Sequence, residues 1–240
     1  MDTAVILAGG KGTRLMPLTA DKPKPMTEIL GKTLIEWIIL WLKKNKIKRI
    51  VISVDYKKEV IIKHLKNGES FGVEIIYNHH DGAEGTGDAF RSVLENKNIE
   101  LPETFLAMNG DQIVNLSIKN LTTFHRKHDP VATIVMCPIR SPFGIIEYDK
   151  TGTIRKFLEK PILPDTFMNA GIYIFNKSIK KYLPQKGAIE NTTFKRLAKN
   201  KKLKAYKYMG VFTTVNKLSD IKEAEKTLLN SKLNSKLNIL

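Results

Sequence analysis

The run Leu7-Ala8-Gly9-Gly10-Lys11-Gly12-Thr13-Arg14-Leu15 constrains this chain more than any other segment, because it leads an apolar stretch into a glycine-rich turn. Residues 4–8 are continuously apolar, as in a strand buried on both faces, and Gly9, Gly10 and Gly12 let the following backbone turn sharply and bring its N–H groups close to a ligand. Amides presented in this way form an anion-binding nest. Arg14 can fork onto phosphate oxygens, and Lys24, held between Pro23 and Pro25, adds a second positive charge from a stiff segment. Two commoner phosphate loops are excluded. No Gly-Lys-Ser/Thr closes the turn, and a dinucleotide-binding turn would pass from Gly-x-Gly-x-x-Gly straight into a helix, whereas this one runs on from Pro17 to Pro25.

Strand and helix signals alternate through the first half. Strands are expected at 4–8, 50–54, 73–77 and 105–108, with helix-compatible patterns at 34–44, 59–66 and 87–94 between them. That alternation predicts an α/β chain with a doubly wound, mostly parallel sheet covered on both faces. After about residue 130 the texture changes to short strands at 131–136, 144–148, 154–158, 170–175 and 203–208, a helix near 192–199 and a last one from Leu218 onward. This reads as an antiparallel or mixed extension of the sheet. No linker separates the halves, so residues 1–240 are read as one domain with two halves, about 1–130 and about 131–240. The repeat Asn230-Ser231-Lys232-Leu233-Asn234-Ser235-Lys236-Leu237 is read as an extension of the last helix or a frayed end.

Ligands of such sheets bind at the carboxyl ends of the strands. The glycine loop follows the first strand and Asn109-Gly110-Asp111 follows the fourth, so two motifs a hundred residues apart converge on one edge. Asp111, an aspartate at a strand end opposite a phosphate loop, suits a hard cation that prefers oxygen ligands; taken alone it reads more readily as a turn or helix-capping residue.

Composition narrows the function classes. With 42% hydrophobic residues over 240, the chain can bury a core. No stretch of about 18 apolar residues suggests a membrane span, and no signal-peptide pattern opens the sequence, so a cytoplasmic protein is expected. The formal charge of +16 comes mostly from lysines in short groups such as Lys43-Lys44 and Lys57-Lys58, without the aromatic interleaving of an RNA-binding surface. It is read as a solvated face that attracts small anions, with no nucleic acid and no membrane as partner. The single cysteine, Cys137, lies in an apolar run and reads as a small buried hydrophobe.

The full run from Leu7 to Pro25 resembles the N-terminal signature of the sugar-1-phosphate nucleotidyltransferases, Gly-Gly-x-Gly-Thr-Arg-Leu-x-Pro-Leu-Thr followed by Pro-Lys-Pro. Further motifs follow in the family's order: Glu84-Gly85-Thr86-Gly87 resembles the base-recognising turn, Asn109-Gly110-Asp111 the magnesium-binding triplet, and Phe143-Gly144-Ile145-Ile146, Glu159-Lys160-Pro161 and Asn169-Ala170-Gly171-Ile172-Tyr173 the three sugar-phosphate motifs. Three departures stand out. Ala83 replaces the common proline, His80 stands where many thymidylyl and uridylyl members carry a base-pairing glutamine, and the late motif Trp-x-Asp-x-Gly-Thr-Pro-x-Asp aligns with Phe212 at its tryptophan, Thr214 at its metal-binding aspartate, Asn216 at its glycine and Asp220 at its last aspartate.

The resemblance implies a Rossmann-like nucleotidyltransferase fold and a magnesium-dependent enzyme that joins a nucleoside triphosphate to a sugar 1-phosphate with release of pyrophosphate. Arg14, Lys24 and Asp111 are the implied catalytic residues. Ala8, Gly9, Gly10, Gly12, Thr13, His80, Gly85, Thr86 and Gly110 would bind the nucleotide, and Gly144, Glu159, Lys160, Asn169 and Gly171 the sugar phosphate, which would make about 1–130 the nucleotide-binding half and about 131–240 the sugar-phosphate-binding half. Asp111 would hold Mg2+, with Thr214 in the place of the usual second ligand. The base, the sugar and the oligomeric state, which leaves room for a homo-oligomer, are not fixed by these motifs. Two other readings stay open: nucleotidyl transfer to a phosphorylated non-sugar alcohol such as phosphocholine, and a catalytically silent regulatory subunit of the same fold, which the missing carboxylate at Thr214 would suit.

Overall fold

The computed structural model describes residues 1–80, 82 and 84–230; Ala83 and the tail repeat from Ser231 on lie outside them. The first half runs β1 (Thr3–Leu7), a small hairpin of β2 (Glu28–Ile29) and β3 (Lys32–Thr33), α1 (Leu34–Lys44), β4 (Arg49–Val54), α2 (Lys58–Leu65), β5 (Glu74–His79), α3 (Thr86–Glu95), β6 (Thr104–Asn109), β7 (Gln112–Val114) and α4 (Ile118–His128). The second half runs β8 (Ala132–Arg140), a hairpin of β9 (Ile145–Tyr148) and β10 (Ile154–Leu158), β11 (Ile162–Asn176), α5 (Thr193–Lys199), β12 (Leu203–Lys207), β13 (Phe212–Thr214) and α6 (Leu218–Asn230).

Seven strands form one sheet in the order β12-β8-β11-β6-β1-β4-β5. β11 runs antiparallel to β6 and β8, and the remaining neighbours pair in parallel. The apolar runs of the central strands divide residue by residue between two cores. Ala4, Ile6, Ile50, Ile52, Leu106 and Met108 pack with Ile38, Leu42, Ile61, Leu65 and Leu121 from α1, α2 and α4. Val5, Val51, Phe105 and Ala107 point the other way, to Phe90 and Val93 of α3 and Phe194 and Leu197 of α5. This is why the strands read as continuous rather than alternating: both faces are covered by helices. Cys137 belongs to the first core, and burial pushes its thiol up to about 12, so it stays protonated and inert.

The helix boundaries follow local chemistry. α1 starts at Leu34 because Thr33 and Glu36 form a reciprocal capping box, worth about 1 kcal/mol. α4 starts at Ile118 behind Ser117, whose hydroxyl accepts the Asn120 amide at 3.3 Å.

A third, smaller core fixes the parts that carry the motifs. Leu15 from the end of the glycine loop, Ile29 and Leu34 from the hairpin and α1, Ile113 from β7, Val215, and Ala224 and Leu228 from α6 are packed together. Leu15 is completely buried, and burying one leucine contributes about 1.5–3 kcal/mol, enough to pin the loop against the short β7–β13 pair. The sheet edge that collects the motifs is thereby held from both ends of the chain.

Candidate functional site

At the carboxyl ends of β1, β4 and β6 lies a cleft of about 340 Å³ lined by Gly9, Gly10, Lys24, Asp55, Gly85, Thr86 and Asp111, among others. One wall is the loop after β1. Gly12 adopts φ +67°, which favours glycine, and its carbonyl accepts both the Leu15 amide at 2.8 Å and the Thr19 hydroxyl at 2.9 Å. The Lys24 amide reaches back to the Gly10 carbonyl at 3.4 Å, so the two proline-flanked turns of the segment are tied to the loop.

The charged groups gather at one end. The Lys24 ammonium lies 2.5 Å from Asp111 Oδ2 and 2.9 Å from Asn216 Oδ1, and the Arg14 guanidinium donates to the same Asn216 oxygen at 3.2 Å. The Lys24 and Asp111 side chains are only 13% and 20% exposed, so their attraction is screened much less than that of a surface pair. Gln112 is buried and donates its amide to Asp111 Oδ1 at 2.5 Å, which fixes the carboxylate's orientation. Asn216 is held in turn: Asp220 accepts its amide at 2.9 Å and that of Lys217 at 3.1 Å at the start of α6. Thr214 turns its hydroxyl to Asn216 Nδ2 at 3.0 Å. The residue whose oxygen meets the cations is therefore Asn216, two positions beyond the aligned threonine.

The opposite wall is the turn into α3. Gly85 is extended there, and a Cβ on it would sit about 2.5 Å from the Ala188 nitrogen, so no other residue lets this turn lie so close to the chain at 187–188. The glycine thus serves a backbone contact as well as opening the cleft. Thr86 clasps the same segment, donating to Glu190 at 2.8 Å and accepting from the Ile189 amide at 3.0 Å. His80 lies outside the lining; its Nε2 is 3.5 Å from Asp88 Oδ2. Burial of Asp88 opposes ionisation, but the Glu84 amide at 2.8 Å and the neighbouring His80 outweigh it and hold the carboxyl below the usual range.

The candidates of the second half divide into two groups. Gly171 adopts φ +69° and passes beside the amides of Asn109 and Gln112, next to Asp111; Asn169 accepts its amide and donates to the buried Tyr173 hydroxyl, both at 2.9 Å. Gly144, Glu159 and Lys160 flank the base of the β9–β10 hairpin, just before β9 and just after β10, Glu159 pairing with Lys160 at 3.6 Å while both stay more than half exposed. Ala8 and Gly110 bond to the neighbouring strand ends, through Ser53 and Leu7. The cleft thus gathers Gly9, Gly10, Lys24, Gly85, Thr86, Gly110 and Asp111, with Arg14 joined through Asn216. Asn216 and Asp55 were not singled out from the sequence as ligand-facing residues. The signal for Asp55 was present: it directly follows the apolar run 50–54, at a strand's carboxyl end.

The sequence model of the nucleotidyl transferase family matches residues 3–226. The catalytic subunit beta of mannose-1-phosphate guanylyltransferase from Drosophila pseudoobscura pseudoobscura is 34% identical over 90% of this chain and 60% of its own length. UTP–glucose-1-phosphate uridylyltransferase from Synechocystis is 32% identical over 75% of this chain and 50% of its own. The chain thus spans about 60% or less of these curated relatives. Among solved structures, HddC from Yersinia pseudotuberculosis complexed with GMP-PN superposes with a TM-score of 0.74 at 26% identity, covering 95% of this chain and all of that one.

Proposed function

The chain belongs to the nucleotidyl transferase family, and from that premise we propose that it transfers a nucleotidyl group from a nucleoside triphosphate to a sugar 1-phosphate, releasing pyrophosphate. The observation that carries the reading is the cluster at the mouth of the glycine loop, where Lys24 and Arg14 converge on the oxygens of Asp111 and Asn216. Two cations and one carboxylate beside a bare-backbone turn suit a substrate with several phosphates, and the +16 net charge would draw such anions in.

In this reaction a sugar phosphate oxygen attacks the α-phosphorus in line, a P–O bond forms, and the bond to the β-phosphate oxygen breaks with its electron pair leaving on pyrophosphate. No proton has to move, so the protein's work is positioning and charge neutralisation. Loop amides from Lys11 to Thr13 and the Arg14 fork would meet the departing β- and γ-phosphates, while Gly10 and Gly85 would face the base. Lys24 stands nearer the α-phosphate, and Lys160 would meet the sugar phosphate once the hairpin carrying Gly144 and Glu159 approaches the cleft. Asn169 and Gly171 would line the sugar's hydroxyl side. In this division of labour the chain is one unit, with the nucleotide on the first half and the sugar phosphate on the second. His80 acts behind the cleft wall through Asp88.

Magnesium fits the donors present. The Lys24 ammonium lies between Asp111 Oδ2 and Asn216 Oδ1, so two oxygens already converge on one positive charge, and hard oxygen donors are what this ion takes. Among the described residues no group of three or more His, Cys, Asp or Glu side chains surrounds it, so substrate phosphates would complete the coordination. When bound, the ion would neutralise phosphate charge. Asn216 replaces Thr214 as the second protein ligand in this proposal. Among the described residues no helix is long and apolar enough to cross a membrane, in keeping with the cytoplasmic placement we propose.

A screen of nucleoside triphosphates against sugar 1-phosphates and phosphocholine, read by coupled pyrophosphate release, tests the reading. Release that needs both a triphosphate and a sugar 1-phosphate is expected; release with phosphocholine alone, or with no pair, would overturn it.

A further inference from the structure

We infer that Asp55 reads the base of the nucleotide and selects guanine. The inference rests on the triphosphate occupying the cleft as proposed above. The cations and Asp111 mark the phosphate end, on the β1 and β6 side. β4 lies on the other side of β1, between β1 and β5, so Asp55 at its carboxyl end falls between the glycine loop and the turn into α3. The contact is close: Asp55 Cβ is 2.8 Å from where a side chain on Gly9 would begin. A nucleotide with its phosphates at Lys24 therefore directs its base toward Asp55 and Gly85.

Among the described residues two acids, Asp55 and Glu84, line that end, and their situations differ. Glu84 is paired with Lys186 at 2.7 Å. The half-buried Asp55 carboxylate neither pairs with a cation nor accepts a hydrogen bond from the described residues, although it faces the cleft. An ionised carboxylate only accepts hydrogen bonds, with two oxygens side by side. Guanine alone among the common bases presents two adjacent donors on its pairing edge, N1–H and the N2 amino group. Uracil and thymine offer one N–H between two carbonyl oxygens, which a carboxylate repels. Adenine and cytosine place a ring acceptor beside their amino group. Charge-assisted bonds of this kind are the strong ones, and a base that leaves the carboxylate unpaired is rejected for that reason.

Binding of GTP, XTP, UTP, dTTP, ATP and CTP, each with magnesium, is measured by calorimetry on the full chain and on Asp55→Asn. The change is isosteric and removes no side-chain hydrogen bond or ion pair among the described residues, so an unchanged Tm is the folding control. Wild type should bind GTP at least roughly tenfold more tightly than the others. In Asp55→Asn the new amide can donate to the xanthine 2-oxygen, and the ratio of GTP to XTP affinity should swing by roughly a hundredfold toward XTP. Tighter binding of UTP or dTTP by wild type would overturn the inference and leave the transferase reading standing. A loss shared equally by all six triphosphates in the variant would assign Asp55 to the ribose and overturn it likewise. If no triphosphate bound wild type, both readings would fall together.

Discussion

Lys24→Met removes one charge while keeping most of the side chain's volume, and its effect can be worked from the contact with Asp111. The two charges approach to 2.5 Å, with 13% and 20% of their side chains exposed. At an effective dielectric constant near 20, unit charges 4 Å apart attract by about 4 kcal/mol, and desolvation of both groups offsets much of that. Exposed pairs contribute about 0–1 kcal/mol, whereas breaking a fully buried pair costs about 3–5 kcal/mol. A pair this close to buried, whose Asp111 keeps the Gln112 amide at 2.5 Å, should lose about 2 kcal/mol. For a chain of this size that is a fall in Tm of about 4–8 °C, read by calorimetry without ligand. Pyrophosphate release should drop about a hundredfold or more, because the ammonium also meets phosphate charge. A Tm within about 1 °C of wild type would show that the ion pair does not form in solution. Unaltered turnover would remove Lys24 from the chemistry.

Arg14→Ala should behave differently: among the described residues its one side-chain bond, to Asn216 at 3.2 Å, is exposed, so Tm should hold while turnover falls about a hundredfold, and a matched loss of stability would make Arg14 a structural residue. Asn216→Asp should lower the magnesium concentration needed for half-maximal activity more than Thr214→Asp does, since the Asn216 oxygen is the one that meets the Lys24 ammonium at 2.9 Å; the reverse order in a metal titration would return the second ligand to Thr214. His125 is buried, with Nδ1 2.8 Å from the Thr133 hydroxyl, and burial holds its imidazole below the ordinary 6.5. The unfolded chain takes up a proton first on acidification, so His125 contributes stability above pH 6.5 that is lost as pH falls below it. His125→Gln should flatten that limb of a pH series of denaturant midpoints; an unchanged slope would show that another group titrates there.

Much of the architecture was legible because the local signals agreed. α1 was expected at 34–44 and occupies Leu34–Lys44, where its apolar period and the Thr33–Glu36 capping box point to the same start. The central strands were legible as apolar runs because helices cover both faces. β11 was expected only at 170–175 but spans Ile162–Asn176. Its first half carries Pro164, Asp165 and Thr166, is largely exposed and pairs with β8 through register shifts, so neither a buried run nor a clean alternation marks it. The cleft's glycine loop, Lys24 and Asp111 could be read from motif order alone. Asn216 could not: its role depends on the β7–β13 pairing, which sets Thr214 opposite Gln112 and turns the next residues toward Lys24. The reason for Gly85 was also hidden, since the chain it packs against comes a hundred residues later.

Isotope tracing reaches the proposed chemistry most directly. The protein is given the preferred triphosphate, magnesium and a sugar 1-phosphate whose phosphate oxygens are all oxygen-18, and both products are weighed by mass spectrometry. Attack by the sugar phosphate oxygen on the α-phosphorus predicts that every labelled oxygen stays in the nucleotide sugar and none enters pyrophosphate. Label in pyrophosphate, or hydrolysis of the triphosphate without a nucleotide sugar, would contradict direct nucleotidyl transfer by this chain.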